Sequence, residues 1–180
     1  LVGTCSCQGL LQLLDMEGDY MAITAVRIDG RLVHGQVANL WTPSLGVTRI
    51  MVVDNQVVDS AVEKAGLRMA TPAGTKLSVL SVDKAAEHIL AGRYASQKLF
   101  LVVKKPETLL ALVEKGVELP EINVGNMSQT DETKHINKSI NVTDHDIEVF
   151  KELDAKGIRI TNRMVPGDKV NDFMELIKDL

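Results

Sequence analysis

Aromatic side chains are scarce in this sequence: one Trp, two Tyr and three Phe among 180 residues. The core therefore has to be assembled from Val, Ile, Leu, Ala and Met, and an array of stacking rings for single-stranded nucleic acid is excluded. Cysteine is scarcer still. Cys5 and Cys7 are the only two, and one Cys-x-Cys without further Cys or His at ligand spacing cannot complete a four-ligand metal site. No run approaches the roughly 18 consecutive apolar residues needed to cross a bilayer, so a role at a membrane has to come through a partner. The formal net charge of −4 offers no global attraction to polyphosphate or anionic lipid, and nucleic acid is not an expected partner. Neither a G-x-G-x-x-G fingerprint nor a P-loop Lys-Ser/Thr pair is present, so nothing points to nucleotide binding.

The first twenty residues differ from the rest. They hold both cysteines and the acids Asp15, Glu17 and Asp19 but no Lys or Arg, unlike a secretory signal, whose first region is basic. Residues 1–20 are expected to be a leader that is disordered or outside the fold, with the natural start at Met21 and one domain over residues 21–180. Without those three acids the remaining chain is close to neutral.

From Met21 onward, short Val/Ile-rich runs alternate with longer amphipathic runs, the pattern of repeated βα units. Strands are expected at Ile23–Ile28, Arg49–Asp54, Lys76–Leu80, Leu99–Val103, Glu121–Val124, Ser139–Val142 and Ile158–Asn162. Helices are expected at His34–Trp41, Val57–Ala70, Val82–Ala91, Pro106–Lys115, Asp144–Ala155 and Asp168–Leu180. Ser81 and Pro106 sit where helices start, Gly116 and Gly157 where they stop, and Thr143 with Asp146 resembles a capping box. The fold class is thus α/β: an open, mostly parallel twisted sheet of about seven strands, flanked by helices on both faces. Such sheets bind ligands at the carboxyl ends of their strands.

The densest loop of that kind is the first. Ile28 ends a strand, Arg27, Asp29, Gly30 and Arg31 crowd the turn, and His34 follows at an apparent helix start, with Gly30 and Gly35 offering close backbone approach or positive φ. A helix start favours phosphate through unpaired N–H groups and partial positive charge. A neutral imidazole nitrogen is a nucleophile suited to transient phosphorylation. Arginines can clamp the charged oxygens of the phosphoryl group, and Asp29 can accept from the nitrogen that does not attack, fixing the tautomer. On spacing alone a surface or capping cluster is the commoner reading of such residues.

RIDGRLVHGQV, together with the later INVGNM (Ile122–Met127), resembles the signature of the B subunits (EIIB) of the mannose/fructose/sorbose/N-acetylgalactosamine class of sugar phosphotransferase systems. The likeness runs from about Met21 to Leu180 and includes VVDNQV, LLALVEKGV and DIEVFKELDAKGI in order. It implies an open parallel α/β sheet and a phosphocarrier in which His34 is phosphorylated. Phosphate would come from a histidine on an EIIA subunit or domain and pass to a sugar held by the EIIC and EIID membrane subunits. The resemblance gives His34 and Asp29 catalytic roles and Arg27, Arg31, Arg163, Gly35 and Gln36 phosphate-binding ones, with Arg163 near the start of the last helix. No metal or cofactor is expected. A cytoplasmic protein, peripherally associated with the membrane through the transporter subunits, is the implied setting; family members are often dimeric, and a homodimer is one of the oligomeric states left open. Gly30 departs from the pattern, since many relatives carry an acidic residue there.

His88, His135 and His145 lie in three different elements without a metal-binding spacing, and read as surface residues. Asp54 and Asn55 face ligand or build a turn. Asn123, Gly125, Asn126 and Ser128 form a polar loop after the fifth strand, lining the pocket or turning the chain. Trp41 is core, or a docking rim that requires partial exposure. Two other readings remain for the whole chain: a regulatory or scaffolding module that kept the fold without the chemistry, and a flavodoxin-like cofactor binder carrying a chromophore.

Overall fold

The computed structural model describes residues 23–180; residues 1–20 and Met21, assigned above to a leader and a start, lie outside them. Chain order is β1 (Ile23–Asp29), a π-helical turn (Val37–Trp41) running into α1 (Thr42–Leu45), β2 (Arg49–Val53), a 3-10 turn (Val57–Asp59), α2 (Ala61–Ala70), β3 (Lys76–Leu80), α3 (Val82–Leu90), β4 (Leu99–Val103) and α4 (Pro106–Glu114). There follow β5 (Ile122–Asn126), β6 (Lys134–Asn137), β7 (Ile140–Val142), α5 (Asp144–Ala155), β8 (Ile160–Asn162), β9 (Asn171–Asp172) and α6 (Phe173–Ile177).

The main sheet has seven strands in the order β3-β2-β4-β1-β5-β8-β9. Every pairing is parallel except β8 with β9 at one edge. Strands covered on both faces have no polar alternation, and LFLVV of β4 is buried at all five positions. Two apolar layers do the covering. One packs Val37, Ala38 and Trp41 of the first helical segment and Leu67 of α2 against Ile50, Val52, Phe100 and Val102. The other packs α3, α4, α5 and α6 against the opposite face, with Leu109, Leu112, Phe150 and Phe173 fully buried. Helices on both faces of a mostly parallel sheet are the architecture read from the sequence.

The chain leaves β1 toward β2 and later returns to fill positions on either side of it, so β1 lies between β4 and β5 where the winding reverses. A crevice opens at such a point, at the carboxyl end of the strand. Several expected punctuation marks are in place. Thr143 and Asp146 exchange both bonds of a capping box, worth about 1 kcal/mol, and Gly116 (φ 90°) and Gly157 (φ 83°) take the left-handed conformation that stops α4 and α5.

Other boundaries differ. The continuous helix expected over Val57–Ala70 breaks at Ser60, whose extended backbone lets its hydroxyl accept from the Glu63 amide and start α2 afresh. The helix expected over Asp168–Leu180 is shorter, because Asn171–Asp172 pairs with β8 and Asp172 caps α6. The strand expected over Ser139–Val142 leaves the main sheet: Ile140–Val142 pairs antiparallel with Lys134–Asn137 as a separate hairpin. The seventh place in the sheet goes to β9.

Candidate active site

The loop after β1 makes a tight turn. Leu32 N donates to Asp29 O at 2.9 Å and Gly30 N to Asn126 O at 3.0 Å. The positive φ that this turn requires falls on Leu32 (φ 56°), and neither Gly30 nor Gly35 takes it. A left-handed Leu costs roughly 1 kcal/mol, and burial of its side chain to 3% exposure offsets that. Helical backbone begins at Gly35, one residue beyond His34. Its widening into a π turn is a local feature common beside functional sites.

Asp29 is the hub. Its side chain is 0% exposed and accepts Nε and Nη2 of Arg27 at 3.2 and 3.0 Å. It also accepts the backbone N–H and Nε of Arg31 at 3.2 and 3.0 Å, and Arg31 Nη2 at 3.2 Å. His34 Nε2 completes the set at 3.0 Å from Oδ2. Burial alone would push this carboxyl up. Hydrogen bonds from His34 and Arg31, with the charges of Arg27 and His34, outweigh that and hold it at about 2.

An ionised carboxylate can only accept, so Nε2 carries the imidazole proton. In the neutral ring Nδ1 is then left with its lone pair and a long 3.4 Å approach from the Gln36 amide.

Arg27 departs from its expected role of phosphate ligand. It is 0% exposed, and all five N–H groups are engaged: with Asp29, with Asn123 Oδ1 at 2.5 Å, and with the Arg163 and Met164 carbonyls at 3.3 Å each. No donor is left to face an incoming phosphoryl group. Burial draws the guanidinium below its usual value against the pull of Asp29. Arginine 31, by contrast, is 44% exposed on its side chain and holds Gln36 Oε1 at 3.1 Å through Nη2. Its Nη1 has no hydrogen-bond partner among the described residues.

Arg163 follows β8 and stands in the loop ten residues before α6, instead of at the start of that helix. Its Cζ and that of Arg27 each lie 4.9 Å from the centre of the Trp41 ring. Trp41 is 2% exposed and donates Nε1 to Met164 O at 3.0 Å, so it is core and not a docking rim. Arg163 has no carboxylate partner among the described residues, and its Nε is buried without an acceptor. The structure therefore joins Arg27, Asp29, Arg31, His34 and Gln36 in one network, sets exposed Gly35 beside it, and ties Arg163 to it through a carbonyl and a shared indole.

Asn123, Gly125 and Asn126, expected in a loop, are in β5 itself. An Asn and a Gly two residues apart among Ile and Val are an anomaly visible in the string; the burial of Asn123 is not. Asp54 and Asn55 build turns: Asp54 Oδ1 accepts from Gln56 and Val57, and Asn55 Oδ1 from Val82 at the start of α3. His88, His135 and His145 pair separately with Tyr94, Asn141 and Glu107.

Residues 23–180 match the family described as the PTS system sorbose subfamily IIB component. The chain is 37% identical over 162 residues to the mannose-specific EIIAB component of Escherichia coli, covering 90% of this chain and 50% of that one. It thus spans half the length of its mannose-specific relatives. It is 31% identical to the fructose-specific EIIB component of Bacillus subtilis, covering 89% of this chain and 98% of that one. Among solved structures, the IIB domain of the sorbose permease from Klebsiella pneumoniae superposes with a TM-score of 0.84 at 31% identity, over 87% of this chain and 96% of that one. With its fold and its whole described length in agreement, the chain belongs to the sorbose-subfamily IIB components of the PTS, a family of sugar phosphotransferase components.

Proposed function

We propose that this chain is a phosphocarrier: His34 accepts a phosphoryl group from a phosphohistidine on an EIIA subunit or domain and gives it to a sugar held by EIIC and EIID membrane subunits. The observation that carries this reading is the 3.0 Å contact between His34 Nε2 and an ionised Asp29, which leaves Nδ1 as the nucleophile. In the first step a bond forms between Nδ1 and phosphorus as the donor's N–P bond breaks, its electron pair returning to the donor imidazole. The His34 ring, substituted at Nδ1 and still protonated at Nε2, then bears positive charge directly against the Asp29 carboxylate. In the second step a sugar hydroxyl attacks phosphorus, the N–P pair returns to Nδ1, and the hydroxyl proton is released.

Charge on the phosphoryl oxygens in both steps calls for fixed donors around them. Arg31 Nη1 and the amides of Gly35 and Gln36 supply these at the mouth, and the uncompensated Arg163 adds positive potential. Arg27 works one layer down, holding Asp29. Relatives of similar likeness are named for mannose, fructose, sorbose and N-acetylgalactosamine, which supports a carrier whose sugar is chosen by its membrane partners. The mannose-specific relatives are named EIIAB, which supports an A partner as donor. No helix among the described residues is long and apolar enough to cross a membrane, so the chain meets the bilayer through EIIC and EIID at its cytoplasmic face.

Incubation with phosphoenolpyruvate, the general phosphocarrier proteins and an EIIA tests this, with the modified peptide mapped by mass spectrometry under alkaline conditions. Phosphate on His34, and none on His34→Gln, is the expected result. Equal labelling of His34→Gln would end the proposal.

A further inference from the structure

The second motif, INVGNM, has no part in the chemistry just described, yet it contains the two residues that shape the floor of the site. Arg27 of β1 and Asn123 of β5 are register partners, as are Ile28 and Val124. The next pair is Asp29 with Asn126. Gly125 is therefore an extra residue on β5, a bulge where the strand yields to the loop of β1, and bulges of this kind re-aim neighbouring side chains.

Its φ is not in the left-handed region, so conformational freedom does not explain a glycine here. Space does. A Cβ on Gly125 would lie 2.0 Å from both Cζ and Nη2 of Arg27 and 2.4 Å from Nη1. The guanidinium rests on the bare Cα. Asn123, 5% exposed, turns Oδ1 onto Arg27 Nη1, while its Nδ2 is buried without a partner among the described residues. The amide is held for its acceptor alone.

We infer that Asn123 and Gly125 are positioning residues for phosphoryl transfer, seating Arg27 so that it fixes Asp29 and, through Asp29, the imidazole nitrogen that attacks. The same seat directs Arg27 Nη1 and Nη2 at the carbonyls of Arg163 and Met164, so one guanidinium locks the loop of β1 to the segment carrying Arg163. A displaced Arg27 leaves Asp29 with fewer donors, frees the carboxylate to swing, and lets the proton of His34 settle on either nitrogen. The inference rests on the reading of His34 as phosphoryl acceptor, but its tautomer test does not need phosphorylation to occur.

The test uses the full chain as wild type, Asn123→Ala and Gly125→Ala, with long-range proton–nitrogen NMR of the His34 ring in its neutral form. Wild type is expected to hold the proton on Nε2, and both variants to move a substantial fraction to Nδ1. Phosphorylation by EIIA should slow in both by about ten- to a hundredfold, as for a mispositioned reacting group. If Gly125→Ala fails to fold, Asn123→Ala decides, since it only removes atoms. Folded variants with the wild-type tautomer and rate would overturn the inference. A shifted tautomer in the variants, with no phosphorylation of wild type, would sink the phosphocarrier reading and leave the seat standing.

Discussion

Asp29→Asn changes one atom at the centre of the network. Asp29 binds its proton less tightly folded, at about 2, than the ordinary 3.8. Its contribution to stability is therefore complete above about pH 4 and is lost as the pH falls through about 2. A depression of nearly two pH units corresponds to about 2–3 kcal/mol. Asparagine removes that charge, and it turns an NH2 group toward at least one of six donor contacts. Arg27, with no solvent exposure, becomes a buried cation without a counterion, a situation that costs about 3–5 kcal/mol.

Urea denaturation followed from neutral pH downward reads both effects. The variant should be less stable by about 3–5 kcal/mol at neutral pH, and its stability should lose the fall that wild type shows between about pH 4 and pH 2. If it folds, transfer from EIIA should drop by roughly a hundredfold or more, because nothing then keeps the proton on Nε2. An Asp29→Asn protein with the wild-type acid limb, or with undiminished transfer, would refute the assignment of Asp29 as both anchor and orienter.

Arg31→Gln should leave stability within about 1 kcal/mol, as its ion pair is half exposed, while slowing phosphoryl transfer by at least about tenfold; chemical denaturation beside a phosphorylation time course separates the two. Thr143→Ala removes the capping box of α5 and should cost about 1 kcal/mol in denaturation, with transfer unchanged because α5 supplies nothing to the network. Leu32→Gly relieves the left-handed strain yet loses a buried side chain. A net loss of about 1–2 kcal/mol is expected by thermal melting.

The sheet was legible because parallel strands buried on both faces read as uninterrupted apolar runs, and RIMVV and LFLVV of β2 and β4 have that character. The β6–β7 hairpin was not. KHIN is exposed or half-buried throughout, so no alternation marks it, and its partner INV looks like any core strand. Asn171–Asp172 is two exposed residues long and carries no periodic signal at all.

At the site, the RIDGRLVHGQV motif puts Asp29, Arg31 and His34 within six residues, and local sequence closes the turn that brings Arg31 N–H and His34 Nε2 onto Asp29. The role of Arg27 depends on a contact that sequence cannot display. Strand alternation puts its side chain on the face of Asn123 and Gly125, beneath Trp41 and the Arg163–Met164 carbonyls, which are more than 120 residues away. An arginine next to a presumed phosphate site reads as a ligand until that ceiling and floor are seen. The left-handed position of the turn shows the same limit: two glycines advertised it, and Leu32 took it because burial of its side chain outweighed the backbone strain.

The chemistry of His34 turns on which imidazole nitrogen is free. Nitrogen-labelled, phosphorylated protein, read by phosphorus–nitrogen coupling in NMR, reports the substituted atom of His34 directly. Phosphorus on Nδ1, with Nε2 still protonated against Asp29, is the predicted result; phosphorus on Nε2 would contradict it.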